Sequence, residues 1–392
     1  MLDRRSFLSL SCAGLTTAAL LPRSVFAALP GTQRFVVVLL RGGLDGLHAL
    51  VPYSDPNYAR LRPKLHEAML SGGGYTKLDS DFALHHALSP LQEMFETREL
   101  LFVPAASTQY RQRSHFDGQN LLENGSGKPF GAKTGWLNRA VSAISAKDQR
   151  LALSIGPTIP LILQGASGVQ TWANSRLTEV DDEFLIRMAR AFKDDPLFSA
   201  TMTDAINTSE PDIDMSDMKR RRGQEFTVTA RAAADLLAQP EGPRVAVLDA
   251  GGWDTHFDQE RRLALGLGSL AAGLVELKQG LTRHWKNTVV VVVSEFGRTA
   301  AENANRGTDH GTGGLAMLCG GAVAGGRIVG DWAGLSKKSL YESRDVRSLN
   351  SYESIFKTVL LSHLQVPEAV IETSVFPNSS GLAPMSGLLT GA

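Results

Sequence analysis

Three stretches of the chain are apolar without interruption: Arg34–Leu40 (RFVVVLL), Arg244–Leu248 (RVAVL) and Thr288–Val293 (TVVVVV). Each is rich in β-branched residues and runs straight into a glycine-rich or polar loop. That is the pattern of a strand buried on both faces of a parallel sheet. Shorter runs at Leu100–Val103, Leu151–Ile155 and Leu315–Cys319 are further strand candidates. A different period stands between RVAVL and TVVVVV. Leu263, Leu267, Leu270, Leu274, Leu277 and Leu281 alternate spacings of four and three, which makes a helical stripe. Strand, helix and strand in that order predict a βαβ unit with a right-handed crossover, and so an α/β fold. Two more helical stretches, about 181–207 and 215–237, carry mixed charge and read as an insertion or cap over about 178–240. No internal repeat is visible, and the Ser/Gly/Pro-rich segment after Phe376 predicts irregular structure.

Open α/β sheets bind ligands beyond the carboxyl ends of their strands. Four loops fall there or close to a strand start: RGGLDGLH (Arg41–His48), DAGGWDTH (Asp249–His256), SEFGRT (Ser294–Thr299) and GTDHGTGG (Gly307–Gly314). Each holds a carboxylate and three also hold a histidine. The candidate ligands Asp45, Asp254, His256, Glu295, Asp309 and His310 offer oxygen and imidazole donors, which suit Zn, Mn, Mg or Ca. Taken singly, an Asp beside Gly is a turn former and a lone His a hydrogen-bonded bystander. Four such loops at one sheet edge point instead to a divalent metal site.

A second feature is YRQRSHFD (Tyr110–Asp117), which opens a helix running to about Glu123. Ser114 falls at the helix N-terminus, where the backbone favours an anion, and Arg111 and Arg113 add charge for a phosphate or sulfate. The alternative is structural: Ser114 with Asp117 three residues on reads as a capping box.

With 392 residues, 43% of them hydrophobic, the chain can bury a large core. Its 40 basic and 40 acidic residues balance, which excludes a dedicated nucleic-acid binder. The densest basic run, Lys219–Arg222, reads as a solvated helix face. Cys12 and Cys319 are the two cysteines, and Cys12 falls in the leader described next. The mature chain then forms no internal disulfide and no thiolate cluster.

The N-terminus reads Arg4-Arg5-Ser6-Phe7-Leu8, then a weakly apolar Leu8–Leu21, then Val25-Phe26-Ala27. Charged, apolar and small, in that order, is a signal peptide over residues 1–27, cleaved after Ala27. The apolar part is too short and polar for a stable membrane span. Its paired arginines resemble the twin-arginine export signal. That resemblance implies the twin-arginine translocase as a partner during export, and a periplasmic or secreted protein that folds first.

The motifs GGLDGL, RSHFDGQNLLENG, TGWLNRA, GGWDTH, SEFGRT and TDHGTGG together resemble domain-of-unknown-function family 1501 over nearly the whole mature chain. That family is grouped with the alkaline phosphatase-like superfamily, which includes sulfatases. The resemblance implies a single α/β domain over residues 28–392, with a largely parallel central sheet flanked by helices. It implies Ser114 as nucleophile, His115 as a further catalytic residue, and Asp45 as the first-strand metal ligand. Asp254 and His256 follow as ligands, then Glu295, then Asp309 and His310, with Arg298 neutralising transition-state charge. The chain departs from the pattern in three places. Arg41 stands where the first-strand Asp normally sits, the Asp-to-His spacing in WDTH is tight, and Glu295-Phe296 replaces an Asp-His pair. The implied function is a metal-dependent hydrolase acting on a small anionic ester or an anionic envelope polymer. The alternative is a non-catalytic envelope protein that keeps the fold and a structural or vestigial ion. A dinucleotide oxidoreductase is disfavoured, because no strand is followed by GxGxxG.

Overall fold

A strand can bury every one of its residues only when both faces of its sheet are covered. In the computed structural model, which describes residues 32–144, 151–156, 158–173 and 225–391, the valine runs do this. The expected leader, the basic run Lys219–Arg222 and the helix expected over about 181–207 lie outside the described residues. The strands are β1 (Arg34–Leu40), β2 (Leu50–Val51), β3 (Tyr75–Lys77), β4 (Ala83–His85), β5 (Leu100–Ser107) and β6 (Ala152–Ile155). They continue as β7 (Val169–Trp172), β8 (Val245–Ala250), β9 (Thr288–Ser294), β10 (Gly314–Cys319), β11 (Arg327–Ile328) and β12 (Asn350–Ser351). A main sheet runs β11-β5-β10-β9-β1-β8-β6-β7 with β12 also on β5, and a small one runs β2-β4-β3.

The fold is mixed α/β with a mostly parallel central sheet, as the sequence predicts. β9, β1, β8, β6 and β7 are parallel neighbours. β1 lies between β8 and β9, so the helix joining those two strands passes over it. β10 is the exception, antiparallel to both β9 and β5. Its amino end therefore lies at the edge where β9 and β1 end, and the preceding loop is delivered there too. β5 runs four residues past its predicted end at Val103, through Pro104, which cannot donate to a ladder. The register of β10 against β5 shifts between Gly314 and Leu315, opposite Pro104, and such irregularities are where a strand tolerates proline.

Six helices matter for the site and the core: α1 (Gly46–Ala49), α2 (His115–Asn124), α3 (Trp136–Ile144), α4 (Glu225–Ala238), α5 (Gln259–Gly280) and α6 (Tyr352–Thr358). Alternate residues of β1 divide between the two faces of the sheet, as the two-residue period of a strand requires. Val36, Val38 and Leu40 join the leucine stripe of α5 (Leu263, Leu267, Leu270, Leu274, Leu277) and Ala230, Ala233 and Ala234 of α4. Phe35, Val37 and Leu39 join Trp136 and Val141 of α3 and Ile355 and Phe356 of α6. The last residues form turns, with Leu388 and Leu389 buried. Among the described residues no helix is long and apolar enough to cross a membrane.

Candidate metal centre

Four chain segments meet at one edge of the sheet. The segment after β5 brings Ser114 and, as the first residue of α2, His115. The loop after β8 brings Asp254 and His256, that after β9 brings Glu295 and Arg298, and that before β10 brings Asp309 and His310. His310 Nε2 lies 2.9 Å from His115 Nε2 and 2.9 Å from His256 Nε2. Asp254 Oδ1 lies 3.2 Å from His310 Nε2, 3.0 Å from His256 Nε2 and 3.6 Å from His115 Nε2. The four side chains are between 24% and 44% exposed, so the cluster is open to a ligand.

The other nitrogen of each ring settles what these atoms present. His115 Nδ1 is 2.7 Å from Glu295 Oε1, His256 Nδ1 is 3.1 Å from Asp309 Oδ1, and His310 Nδ1 is 3.0 Å from the Arg113 carbonyl oxygen. Carboxylates and carbonyls only accept, so each Nδ1–H donates and each neutral ring turns an Nε2 lone pair inward. Three lone pairs then face one another and Asp254 Oδ1, and Arg298 Nη2 donates to that oxygen at 2.5 Å but to none of the rings. A cation resolves that repulsion. A tetrahedral ion with bonds of about 2.0–2.1 Å separates its ligand atoms by roughly 3.3 Å, close to the spacings here. His115, Asp254 and His310 form the mutually close set, with His256 adjoining two of them.

The electrostatics agree. Burial pushes Asp254 up, but its bond to Arg298 and the nearby charges outweigh that and hold it at about 2. Burial also opposes ionisation of Glu295, and its bonds to His115 and Gln119 keep it below the ordinary range. The Glu295 bond raises His115, which makes that ring a more basic donor. His310 is lowered, first by burial and then by charge at His115 and Arg298.

Glu295 and Asp309 stand one bond outside the cluster, each orienting a ring. Arg298, 1% exposed, donates to the carbonyl oxygens of Gly42 (2.5 Å), Gly43 (2.6 Å), Trp253 (3.0 Å) and Thr308 (3.1 Å) and to Asp254 Oδ1 (2.5 Å). It clamps three loops from beneath and meets the centre through Asp254. Gly42 permits this close packing. Its φ is +124°, and a Cβ there would lie 2.5 Å from the Asp254 amide nitrogen.

Asp45 lies apart from the cluster. It caps α1 through His48 N–H at 3.3 Å, which draws it into the interior, and it accepts from Arg62 Nη1 at 2.9 and 2.7 Å and from Gln259 Nε2 at 2.6 Å. Burial alone would raise its pKa, but the Arg62 charge leads the opposing effects and the net shift is downward. Arg41, at the end of β1, pairs with Glu123 at 2.7 Å and Asp249 at 3.0 Å. The capping box expected of Ser114 and Asp117 does not form. The Ser114 side chain caps nothing, and the Tyr110 hydroxyl takes the Ser114 N–H at 3.2 Å while donating to Asp117 Oδ2 at 3.1 Å. Of the two arginines on this segment, Arg113 is neutralised by Asp345 and Glu342 at 2.8 and 2.6 Å, whereas Arg111 donates to carbonyl oxygens of Thr108 and Tyr110.

A second group, His48, His85 and Glu260, also brings potential ligands together. Only His48 Nε2 is hydrogen-bonded to Glu260, while His85 Nε2 has no hydrogen-bond partner among the described residues. His85 Nδ1 accepts from Ala87 N–H at 3.1 Å, so a neutral His85 carries its proton on Nε2 and has no lone pair there for an ion. His48 Nε2 lies 2.8 Å from Glu260 Oε2 and His85 Nε2 lies 3.7 Å from Glu260 Oε1.

The fold and the site together define an α/β protein with an imidazole- and carboxylate-lined centre at the carboxyl edge of its sheet. The chain belongs to the family described as "Protein of unknown function (DUF1501)", whose model matches residues 32–371. No match was found among curated proteins. Among solved structures, the chain is similar to Ps i-CgsB (12% identity, 76% of this chain and 68% of that one, TM-score 0.40). It is also similar to alkaline phosphatase from the Antarctic bacterium TAB5 (11% identity, 72% and 91%, TM-score 0.33). A third is the C-terminal periplasmic domain of EcEptC from Escherichia coli in complex with Zn (10% identity, 75% and 77%, TM-score 0.34).

Proposed function

We propose that this chain is an exported, metal-dependent hydrolase of phosphate or sulfate esters. The observation that carries the reading is the convergence of three Nε2 lone pairs on one another and on Asp254 Oδ1, with no donor between the rings. His115, Asp254 and His310 would hold the ion, with His256 beside them, and an imidazole-rich set favours zinc. A divalent ion held there would polarise an ester oxygen and offset charge on the attacked group. Ser114, at the N-terminus of α2 and next to a donor ring, is the nucleophile of this reading, since unpaired backbone N–H groups there lower the cost of an alkoxide. Arg111, without a carboxylate partner among the described residues, is the group for the non-reacting oxygens of a small anionic ester or an anionic envelope polymer. Arg298 holds Asp254 ionised and in place.

One observation favours the second reading, a non-catalytic protein with a structural ion. Asp45, the ligand that the resemblance assigns to the first strand, is held by Arg62. Ser114→Ala separates the two. Since its side chain caps nothing, the substitution leaves stability within about 0.5 kcal/mol. Hydrolysis of p-nitrophenyl phosphate or sulfate by the zinc-loaded protein should vanish. Undiminished turnover would exclude Ser114 as nucleophile, and a zinc-loaded parent inert on both esters and on envelope polymer would favour the structural reading.

Export rests on Arg4-Arg5-Ser6-Phe7-Leu8 and the cleavage pattern at Ala27. Replacing both arginines by lysine should leave the precursor in the cytoplasm, by cell fractionation. Normal accumulation of the double variant outside the cytoplasm would end this part of the proposal.

A further inference from the structure

Gln259, the first residue of α5, is fully buried and touches none of the metal donors. Its amide nitrogen donates to Asp45 Oδ2 at 2.6 Å. Asp45 is ionised against Arg62 and can only accept, so the amide cannot be turned the other way. Its oxygen therefore faces Thr255 Oγ1 at 2.9 Å and Thr308 Oγ1 at 2.7 Å, and both hydroxyls must donate to it. Thr255 precedes His256 in the chain, and Thr308 precedes Asp309, the carboxylate that orients the His256 ring. Both threonines are fully buried. The backbone adds ties of its own: Thr308 N–H to the Thr255 carbonyl oxygen at 3.2 Å, Gln259 N–H to that of Arg306 at 3.0 Å and Asp258 N–H to that of Asn305 at 3.4 Å.

We infer that Gln259 is a positioning residue for the metal centre. Through its two threonine bonds it fixes the loop carrying Asp254 and His256 against the loop carrying Asp309 and His310. One amide oxygen is thus the common reference for two loops that leave different strands. A glutamate in its place would set a second carboxylate against Asp45, while an apolar residue would leave both hydroxyls without an acceptor. The amide satisfies all three neighbours with no added charge. This inference rests on the metal-centre reading of the previous sections and deepens it.

The test uses the full chain, titrated with Zn²⁺ alone and with Co²⁺, whose visible absorption reports ligand geometry. Thr255→Val and Thr308→Val keep the shape and remove one hydroxyl each, whereas Thr255→Ser keeps the hydroxyl. Each valine variant should bind Zn²⁺ on the order of 10-fold more weakly and shift the Co²⁺ bands, the effect expected when an outer partner of a ligand is lost. Thr255→Ser should bind and absorb like the parent. The positioning role is overturned if the valine variants lose thermal stability alone, with affinity and Co²⁺ bands unchanged, or if serine restores nothing. A parent chain that takes up neither ion in this titration overturns the metal-centre reading, and this inference with it.

Discussion

His310→Ala should abolish zinc binding. His310 Nε2 is the atom closest to all the other donors, 2.9 Å from two imidazoles and 3.2 Å from Asp254. Removing it deletes the middle of the cluster and leaves His115 and His256 without a shared neighbour ring. Glu295→Gln is the graded comparison, because Glu295 acts through the His115 ring and its loss should weaken binding by about 10–100-fold. The alanine variant should fall far below that. Calorimetric titration reads both, and thermal unfolding supplies a check. Zinc at 100 times its dissociation constant should stabilise the parent by about 2.7 kcal/mol and His310→Ala by nothing. Equal affinity in parent and alanine variant would remove the site as drawn.

The largest stability effect belongs to Arg62→Met. Arg62 and Asp45 are both buried, with the guanidinium also donating to the Thr299 and Ala300 carbonyl oxygens at 2.7 and 2.8 Å. Deleting the arginine strands a charge in the interior, which costs about 3–5 kcal/mol, while Arg62→Met with Asp45→Asn should cost less because no unpaired charge remains. The pH dependence should reverse sign between parent and single variant. In the parent Asp45 is held below its ordinary value, so its contribution is full above the unfolded carboxylate pKa near about 3.9 and is lost as pH falls below it. Without Arg62, burial governs and raises the Asp45 pKa, so acidification toward that raised value should recover stability. Urea unfolding from about pH 7 down to about pH 2 measures both. A single variant less than about 1 kcal/mol below the parent would contradict this account.

Strands β1, β8 and β9 were legible because a continuous valine run has few other places to go. The α5 stripe was legible because six leucines at helical spacing leave one buried face. The β10 direction was not, since pairing direction depends on register and connection rather than on composition. The site was legible as a set of loops but not as roles. Glu295, Asp309 and Asp254 are alike in sequence, each a carboxylate just beyond a strand end or before a strand start, and only the imidazole nitrogens show which faces the cluster and which backs a ring. Asp45 illustrates the converse. Its glycine-rich setting resembles a ligand loop, yet Arg62, seventeen residues on, claims it. His115 as a donor and Gln259 as a hub have no local sequence signal, because His115 meets His310 and Gln259 joins nearby Thr255 to Thr308 only when distant segments come together.

The antiparallel course of β10 has a consequence for when the centre comes into being. His115 and His310 stand 195 positions apart in the chain, and they meet only after β10 has been threaded between β5 and β9. An unfolded or half-assembled chain offers an ion isolated imidazoles, with Asp254 and His256 as its nearest pair. Closing the intervening loops costs entropy that an ion bound by one or two groups does not recover. On the metal-centre reading, capture of an ion would therefore belong to the completed sheet rather than to the unfolded chain.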